Sequence, residues 1–517
     1  MAKESLKDKE KNSEKKMARE PRKDNTFTAI LKFVPLAAFI VMVVVFRLDL
    51  LAAAPIAAFL AACVYMFLRR ANFTEAIKPG VKAARKIVMI FFILMFTYGL
   101  AECFMAAGVG AALIRICMAG GMTGRSVAPV ALFVTALLSF SIGSSWGSFA
   151  ASAPIFLWLS YIVGGDPVLT VCAVAGGACF GDNTSFISGN VALASELQGV
   201  SVQARVRNHM LWAILCLAIS MVVFYFVGLG LGLSNVRGDL STAMTKIPAE
   251  VVDNLAVTRP SAAKLLTQVR DGVPVYLVLP IFVVIVMSLF KMNTLLCLGA
   301  GMVSSLLLGT IAGTVGFNEW LNDLILKGYS DAGNWTVIMM LWIAAFGGIM
   351  DAMGVFDPLA KLAVKASKNS NMLMGWCGVL AFVGNMALAD ESAQAVTLSP
   401  VLRDIANDNL EITNPEDREK FGIRLSLLTT TMGVYGSEMV PWHCYPVFFA
   451  SIATAVYPLM NFTPYDIISR NYMSFITVGS LLILTFTGLG ILKGFRLPKN
   501  VPLKKKDKLP PKEESAR

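Results

Sequence analysis

Long apolar runs recur along almost the whole chain, and they constrain its fold more than any other feature. The chain has 517 residues, of which 56% are hydrophobic and only 15% are charged. A soluble domain would carry about a quarter charged residues. About twelve runs come close to the ~20 apolar residues with which a helix crosses the ~30 Å core of a bilayer. These runs predict an all-α, polytopic membrane protein with about 12 membrane segments.

Basic residues are concentrated at the two ends of the chain. The net charge is +11, and the clustering at the ends argues against nucleic-acid binding as its cause. Basic flanks stay on the cytoplasmic side of a membrane, so both termini are predicted to be cytoplasmic. The predicted organisation is a disordered basic tail (1–26), a first transmembrane repeat (27–233), an external polar linker (234–272), a second, inverted repeat (273–492) and a basic cytoplasmic tail (493–517).

The two halves of the membrane region repeat one another with a period near 245 residues. Gly143-Ser-Ser-Trp-Gly-Ser in the first half corresponds to the segment from Gly384 to Glu391 in the second. Further along, Gly181-Asp-Asn-Thr-Ser corresponds to Gly436-Ser-Glu-Met-Val. The order and spacing of the matches agree, which indicates an internal duplication.

Loop charge predicts that the two repeats have opposite orientations. The loop 69–86 is basic, whereas its counterpart 315–333 is mainly acidic, so the two are expected on opposite faces of the membrane. Two stretches, 143–160 and 391–402, are too polar or too short for ordinary spans and predict re-entrant or discontinuous segments that line a cavity. Inverted repeats with broken helices are typical of secondary transporters, whose site lies where the breaks meet.

One polar stretch, Gly177–Asn190, interrupts an apolar run and carries the acid Asp182. Its three glycines allow the backbone to leave the helix and to turn its carbonyls inward. A carboxylate at membrane depth is costly unless it is paired, solvated or bound to an ion. Hard cations prefer oxygen ligands, so the stretch predicts an alkali-cation site. The alternative is a kinked helix with a satisfied aspartate.

The remaining candidate residues come from four polar clusters at the predicted breaks, which lie in order within residues 141–148, 182–190, 385–397 and 435–443. An acid that binds either a proton or a cation couples the two by competition. The predicted cation or substrate site consists of Asp182, Asn183, Thr184, Ser185, Ser188, Asp390, Glu391, Glu438 and Ser145. Within this set, the predicted Na+ ligands are Asp182, Thr184 and Asp390. Glu102, Asp351 and His443 are candidate relay or gating residues, with an interfacial or plain hydrogen-bonding role as the alternative. The nine cysteines have no metal-ligand or disulfide spacing and predict small core residues.

Three segments resemble the signature segments of NhaC-type sodium/proton antiporters: Gly143-Ser-Ser-Trp-Gly-Ser, Phe180–Ser188 and Met439-Val-Pro-Trp442. The likeness runs roughly over residues 28–490. The resemblance implies inverted repeats with re-entrant hairpins, a location in the bacterial inner membrane and exchange of Na+ for H+. It also implies that Asp182, Thr184 and Ser185 belong to the cation or substrate site.

The chain departs from this family pattern at three places. Phe186 stands where the family has proline, Gly189-Asn190 where it has Asp-Thr, and His443 where it has asparagine. The missing acid removes one ligand charge, which Asp390-Glu391 could supply from the other repeat. These departures concern the transported species more than the fold.

The expected function is exchange of cytoplasmic Na+ for external protons by alternating access. The alternative is a sodium-coupled carrier of a small organic acid or amino acid, which an arginine in the cavity would favour; none lies within the four clusters. A membrane enzyme is disfavoured because the chain has no His-Glu-x-x-His motif, phosphate-binding loop or nucleophile elbow. No cofactor is predicted, and Na+ is the transported ion. The predicted partners are Na+, H+ and the lipid bilayer, without nucleic acid; a homo-oligomer stays open.

Overall fold

A computed structural model of the chain describes residues 25–86, 88–238, 253, 255–257, 259–290, 292–332, 335–489, 495–498 and 501–504. Within these ranges every named element is a helix, and pairing between extended segments is limited to two isolated β-bridges. Most of the predicted tails and the middle of the predicted linker lie outside the described residues. The domain boundaries therefore stay predictions.

The predicted apolar runs of the first half are all helical, but the stretch 69–86, which was predicted as a loop, is also mostly helical (Phe73–Lys86). The helices of this half are α1 (Thr26–Ile40), α2 (Leu50–Arg69), α3 (Phe73–Lys86), α4 (Val88–Ala106), α5 (Val109–Ala119), α6 (Val127–Ile142), α7 (Ser145–Val163), α8 (Pro167–Thr184), α9 (Gly189–Gln198) and α10 (Val202–Gly230). A short π-helix, Val41–Val45, extends α1. The predicted break in the polar stretch separates α8 from α9, so that one apolar run forms two helices.

The second half repeats this succession of long and broken helices. Its helices are α11 (Pro260–Asp271), α12 (Leu279–Leu289), α13 (Thr294–Ile311), α14 (Phe317–Glu319), α15 (Leu326–Ala332), α16 (Trp335–Ala352), α17 (Phe356–Ala366), α18 (Ser370–Leu388), α19 (Glu391–Asn409), α20 (Pro415–Val434), α21 (Cys444–Val456), α22 (Pro464–Ser469) and α23 (Tyr472–Thr487). A 3-10 turn, Val275–Val278, precedes α12, and a π-helix, Trp320–Ile325, joins α14 to α15. A second 3-10 turn, Ser437–Met439, lies between α20 and α21.

The lengths and compositions of these helices are those of a multi-pass membrane protein. Six of the described helical segments are long and apolar enough to cross a bilayer: Thr26–Val45, Leu50–Arg69, Ser145–Val163, Val202–Gly230, Phe317–Ala352 and Ser370–Leu388. The pair Phe91–Ala106 and Val109–Ala119, bent by 61°, would make a seventh span. Five further apolar helices are 10–17 residues long. Short and bent segments of this kind are tolerated in a membrane where other helices surround them.

The two stretches predicted as short re-entrant segments are longer than expected. Both begin helices of 19 residues, α7 and α19. The prediction that 143–160 is too polar or too short to span was wrong, because α7 passes the length and composition test for a membrane span. Its serines, glycines and alanines have a low hydropathy, yet 94% of the residues in its membrane-length segment are buried inside the protein. Small side chains allow such close helix packing in a bilayer.

The turns that precede α7 and α19 have the same backbone conformation. After α6, Gly143 is left-handed (φ 72°, ψ 23°), and Ser144 is extended (φ −145°, ψ 126°). After α18, Ala389 is left-handed (φ 52°, ψ 23°), and Asp390 is extended (φ −147°, ψ 125°). The turns lie one repeat period apart in the chain, as the predicted duplication requires. The opposite orientation of the two repeats stays a prediction.

The described pieces of the chain beyond α23 return to the helical body. Phe495 is buried, and its ring stacks on Trp212 at a centroid distance of 5.5 Å. The guanidinium of Arg424 lies 4.2 Å from the centre of the Phe495 ring and donates a hydrogen bond to the Phe495 carbonyl. Further on, the Lys504 amide donates to the Asn409 carbonyl at 2.8 Å. Residues 495–498 and 501–504 therefore pack against the body of the protein.

Candidate functional site

Asp182 lies near the end of α8 and is buried, with 3% of its surface exposed. Its Oδ2 atom accepts hydrogen bonds from Ser145 Oγ at 2.7 Å, Tyr445 OH at 2.9 Å and Ser145 N at 3.3 Å. Its Oδ1 atom accepts from Ser188 Oγ at 2.9 Å and Asn190 Nδ2 at 3.2 Å. Among the described residues no lysine, arginine or histidine forms an ion pair with it. The carboxylate is thus stabilised by neutral donors alone.

These donors come from three separate helices that meet the end of α8 at the break. Ser145 opens α7, Ser188 caps α9, and Tyr445 lies in the first turn of α21. Ser145 Oγ and Tyr445 OH are also 2.8 Å apart, so they join in one hydroxyl network. A hydroxyl has lone pairs as well as a proton and can rotate to offer an oxygen ligand. The same oxygens can therefore surround either a protonated carboxyl group or a hard cation.

Close helix packing holds the break in place. A Cβ atom at Gly181 would overlap the backbone of Ser139 and Phe140 on α6, so only glycine allows α8 to approach this closely. Ser139 Oγ donates a hydrogen bond to the Ala178 carbonyl one turn earlier on α8. After the break, Ser188 Oγ accepts from Val191 N at 3.3 Å and begins α9. The position of Asp182 is therefore set by the contact between α6 and α8.

The second repeat builds a comparable set of contacts around His443. Its Nε2 atom is 3.0 Å from Asn385 Oδ1 and 3.1 Å from Ser437 Oγ. The Asn385 amide group donates to the Met432 carbonyl at 2.9 Å, which orients its oxygen towards the imidazole ring. All three side chains are fully buried. His443 is thus held on one side by the Asn385 and Ser437 side chains.

Glu391 lies beside this histidine at the first position of α19. Its Oε2 atom is 3.6 Å from Cys444 Sγ, and that sulfur is 3.5 Å from His443 Nδ1. All three residues are buried. The charge of Glu391 lies close enough to those of Asp182 and Asp390 to interact with them. Asp390 is the N-cap of α19, where its Oδ1 atom accepts from Ala393 N at 2.6 Å.

The structure brings all four predicted polar clusters into contact. Ser145 joins the first cluster to Asp182 in the second. Asn190 Oδ1 in the second lies 3.5 Å from Ser392 Oγ in the third. Asn385 in the third contacts His443 in the fourth. The breaks of both repeats therefore form one continuous polar region, which is buried except where it reaches the surface at Ser392.

Other predicted site residues are buried nearby but are not in the Asp182 network. Glu438 is fully buried and accepts from Asn471 Nδ2 at 3.1 Å through Oε2, while its Oε1 atom has no hydrogen-bond partner among the described atoms. Thr184 Oγ1 is likewise buried without a described partner. Ser185 caps the end of α8 in an extended conformation, and its Oγ accepts from Ile187 N at 3.3 Å.

An arginine that sequence reasoning assigned to no cluster reaches the break. Arg205 on α10 is fully buried and donates to the Asn183 carbonyl at 2.6 Å and to Asn183 Oδ1 at 3.3 Å. It also donates to Thr430 Oγ1 and lies 3.5 Å from His209 Nε2. A cationic side chain at the last carbonyls of a helix is favoured by the helix dipole. Arg205 therefore caps the end of α8 beside the site.

The predicted relay residues lie in three different environments. His443 is in the polar region itself. Glu102 on α4 is buried in an ion pair with Arg259 (2.6 Å), which also pairs with Asp331. Asp351 is exposed in the last turn of α16.

Glu102 and its ion-pair partners line two cavities. A cavity of about 610 Å³ is lined by Glu102, Arg259 and charged residues of the helical segment 317–332, which lies within the stretch 315–333 that was wrongly predicted as a loop. A smaller cavity of about 170 Å³ lies at Arg259, Asp331 and Ser451 of α21. Arg259 thus contributes to both walls, and it lies on the predicted linker, whose described residues include α11.

Sequence reasoning missed Tyr445, Arg205, Arg259 and Cys444 as contacting residues. Asn190 was included in the second polar cluster, although it was not assigned to the cation site. Arg205 and Arg259 could have been found as charges at the edges of apolar runs. Nothing in the sequence near Tyr445 predicts that it meets Asp182, because the two are 263 residues apart.

Comparison with known families decides what kind of protein has this arrangement. Residues 177–489, more than half of the chain, match the Na+/H+ antiporter family. The chain belongs to the Na+/H+ antiporter family. The predicted resemblance to NhaC-type antiporters is thereby confirmed, and the protein is a membrane transporter of the antiporter type rather than an enzyme. In this antiporter, residues 1–228 also match the C4-dicarboxylate anaerobic carrier family.

Characterised relatives of the antiporter carry out several kinds of exchange. It is 22% identical over 69% of its length to the malate-2H(+)/Na(+)-lactate antiporter of Bacillus subtilis, of which the match covers 72%. It is 25% identical over 77% of its length to the arginine/ornithine antiporter ArcD of Halobacterium salinarum, with 78% of that protein covered. It is 20% identical over 70% of its length to the Na(+)/H(+) antiporter NhaC of Alkalihalophilus pseudofirmus, with 74% covered.

Proposed function

We propose that this antiporter exchanges cytoplasmic Na+ for external protons by alternating access, with Asp182 as the group that carries either ion. The observation that supports this is a buried carboxylate with five hydrogen bonds from neutral donors and no basic partner among the described residues. A cation or a proton can neutralise this carboxylate, and each excludes the other. Competition for one acid then couples the inward and outward movements.

The proposed Na+ ligands are the Asp182 carboxylate and the hydroxyl oxygens of Ser145, Ser188 and Tyr445. All four residues are buried and already share one network, so rotation of the hydroxyl groups would turn their oxygen lone pairs towards an ion without large movements. Thr184 stays in the proposed set because its buried Oγ1 atom has no described partner. Asp390 stays in the proposed set for its negative charge, which lies beside that of Glu391. Its Oδ1 atom already accepts a hydrogen bond as the cap of α19.

We also propose an orientation with both termini in the cytoplasm of a bacterial cell and the protein in the inner membrane. The basic ends of the chain support this orientation. The Glu102–Arg259–Asp331 cluster would then lie on the external side, with the predicted linker. The two repeats would be inverted around the polar region, which suits alternating access.

A sodium-coupled carrier of a small organic acid or amino acid is the second candidate. Two of the similar proteins are named for organic solutes, and Arg205 lies beside Asn183 with its Nε atom buried and unpartnered among the described atoms. However, the remaining donors of Arg205 point to acceptors within this chain. An anionic solute would have to displace these contacts, which is why cation exchange is preferred.

The test is proton movement in proteoliposomes that contain the purified full-length protein and an internal pH-sensitive dye. Na+, Li+ and K+ are added in turn to wild-type protein, to Asp182→Asn and to Asp49→Asn. The Asp49 variant is the control, because asparagine also caps a helix and this aspartate is the exposed N-cap of α2. We expect Na+ to drive proton movement in the wild type and the control, and not in Asp182→Asn.

Two results would overturn the proposal in different ways. If no inorganic cation moves protons in the wild type, the protein is not a Na+/H+ exchanger, and exchange of labelled carboxylates and amino acids under a sodium gradient tests the second candidate. If Asp182→Asn exchanges as the wild type does, the activity stands but Asp182 is not its coupling acid.

A further inference from the structure

Glu391, His443 and Cys444 place three different ligand types around one point in the polar region. One potential ligand atom from each residue, a carboxylate oxygen, a ring nitrogen and a sulfur, lies within 4.8 Å of the other two. Glu391 is the first residue of α19, whereas His443 and Cys444 form the N-cap and the first residue of α21. The three are brought together by two helix starts that are far apart in sequence. Residue spacing therefore gave no sign of a metal site.

We propose that these three residues bind a divalent transition-metal ion of the zinc class. Tetrahedral zinc has Zn–S distances of about 2.3 Å and Zn–N or Zn–O distances of about 2.0 Å, which separate the sulfur from each lighter ligand by about 3.5 Å. The sulfur of Cys444 lies 3.5 Å from His443 Nδ1 and 3.6 Å from Glu391 Oε2. Two of the three separations therefore already fit such an ion, and the third, between the His443 nitrogen and the Glu391 oxygen, is within 4.8 Å, so that a small side-chain movement would complete the geometry.

The neighbours of His443 orient its ring for this role. Asn385 donates through its nitrogen to the Met432 carbonyl, so its oxygen is the atom that faces His443 Nε2 at 3.0 Å. This bond assigns the ring proton to Nε2 and leaves the lone pair on Nδ1, towards Cys444. A second residue that fixes the ring in this way is the usual support of a metal-binding histidine. The lone pair otherwise accepts a long bond, 3.3 Å, from Tyr445 N.

The donor set selects the class of ion. Sodium, magnesium and calcium prefer oxygen ligands alone, whereas a set with sulfur and imidazole favours zinc and similar ions. A carboxylate and a thiolate together balance the charge of a divalent ion, which matters because all three side chains are buried. Three protein ligands leave a fourth position open, unlike a closed structural zinc site. The proposed site is thus distinct from the Na+ ligands at Asp182, and it does not depend on which ions the antiporter exchanges.

The test uses Co2+ alone as an optical probe of the purified full-length protein in detergent. We expect one equivalent to produce a thiolate-to-cobalt charge-transfer band, which added Zn2+ removes by displacement. Cys444→Ser should abolish the band, while Glu391→Gln and His443→Gln should weaken binding by at least about tenfold. Cys377→Ser is the matched control, because Cys377 is equally buried but lies on α18 outside the group. The thermal unfolding of each variant shows whether it is folded.

Absence of a charge-transfer band in the folded wild-type protein would overturn the proposal, as would an equal band in Cys444→Ser. X-ray absorption of the zinc-loaded wild type provides a test without variants. We expect one sulfur at about 2.3 Å together with nitrogen or oxygen ligands at about 2.0 Å. A zinc shell without sulfur would equally overturn the site.

Discussion

Ser145 and Glu391 occupy the same position in two equivalent turns, but one carries a hydroxyl group and the other a carboxylate. Each is the first residue of a helix, α7 or α19, that follows a left-handed residue and an extended residue. In the first repeat the acid, Asp182, lies on the neighbouring break and accepts from Ser145. In the second repeat the acid is at the helix start, and Ser437 stands where the first repeat has Asp182. The first repeat thus contributes Asp182 to the polar region, whereas the second contributes Glu391 together with the neighbouring Asp390.

Other contacts recur in the two repeats with changed side chains. Ser139 donates to a carbonyl of α8, and Asn385 donates to carbonyls at the end of α20. Ser188 contacts Asp182 six residues earlier, while His443 contacts Ser437 six residues earlier. The breaks of the two predicted repeats therefore share part of their contact geometry, whereas the side chains that make these contacts differ.

Reciprocal substitutions at the two turns should change stability in opposite directions. A left-handed conformation costs an L-residue roughly 1–2 kcal/mol. Ala389→Gly relieves this strain, and we expect stabilisation of up to about 1 kcal/mol after the added freedom of glycine in the unfolded chain. Gly143→Ala introduces the strain, and its Cβ atom would lie 3.0 Å from Ser188 N, so we expect a loss of more than about 1 kcal/mol. Thermal unfolding in detergent measures both, and shifts of the same sign would contradict the shared geometry.

Removing one hydroxyl group should weaken cation binding without unfolding the site. Tyr445→Phe loses the hydrogen bond to Asp182 (2.9 Å) and the oxygen that lies 2.8 Å from Ser145 Oγ, but keeps the ring stacked on Trp146. A hydrogen bond to a charged group contributes about 1.5–3 kcal/mol, so the apparent Na+ affinity should fall by about tenfold or more. The measurement is the Na+ concentration that gives half-maximal proton movement. Tyr457→Phe, which changes a ring packed on Trp158, should leave this value unchanged.

The buried Glu102–Arg259 ion pair should contribute more to stability than the partly exposed Lys264–Glu319 pair. Glu102→Gln leaves the buried Arg259 with Asp331 as its remaining acidic partner. Complete loss of a partner from a buried pair costs about 3–5 kcal/mol, and this is the upper limit for the expected loss of stability. Glu319→Gln breaks the partly exposed pair with Lys264 and should cost no more than about 1 kcal/mol. Denaturant unfolding compares the two variants. Equal losses would show that burial of the Glu102 pair does not increase its contribution.

Arginine at position 205 should not be replaceable by lysine. The Arg205 guanidinium contacts both the carbonyl and the side chain of Asn183 together with Thr430, which one ammonium group cannot do. We expect Arg205→Lys to lower the free energy of unfolding by about 2 kcal/mol. Arg403→Lys is the control, because Arg403 is exposed and makes one bond to the Leu197 carbonyl. A lysine variant at 205 as stable as this control would contradict the role of Arg205 as a cap of α8.

Much of the helical architecture could be predicted from local properties of the chain. Apolar runs of membrane length predicted the helices, and the glycines and polar residues around Asp182 predicted the break between α8 and α9. The underestimated helix α7 shows where this reasoning fails: hydropathy records the polarity of Ser145 and Ser148, but not that neighbouring helices bury them completely. The polarity of a helix face and its environment are separate properties.

The sequence by itself determined the membrane class, and it predicted two duplicated halves and singled out the acids Asp182, Glu391 and Glu438, which the structure buries. These follow from hydropathy, glycine position and charge, which act over short stretches of chain. Only the tertiary structure decided that Tyr445 donates to Asp182, that Arg205 caps α8 and that Cys444 and His443 meet Glu391. These contacts join helices remote in sequence, and they depend on the packing angles and rotations of whole helices, which no local pattern encodes.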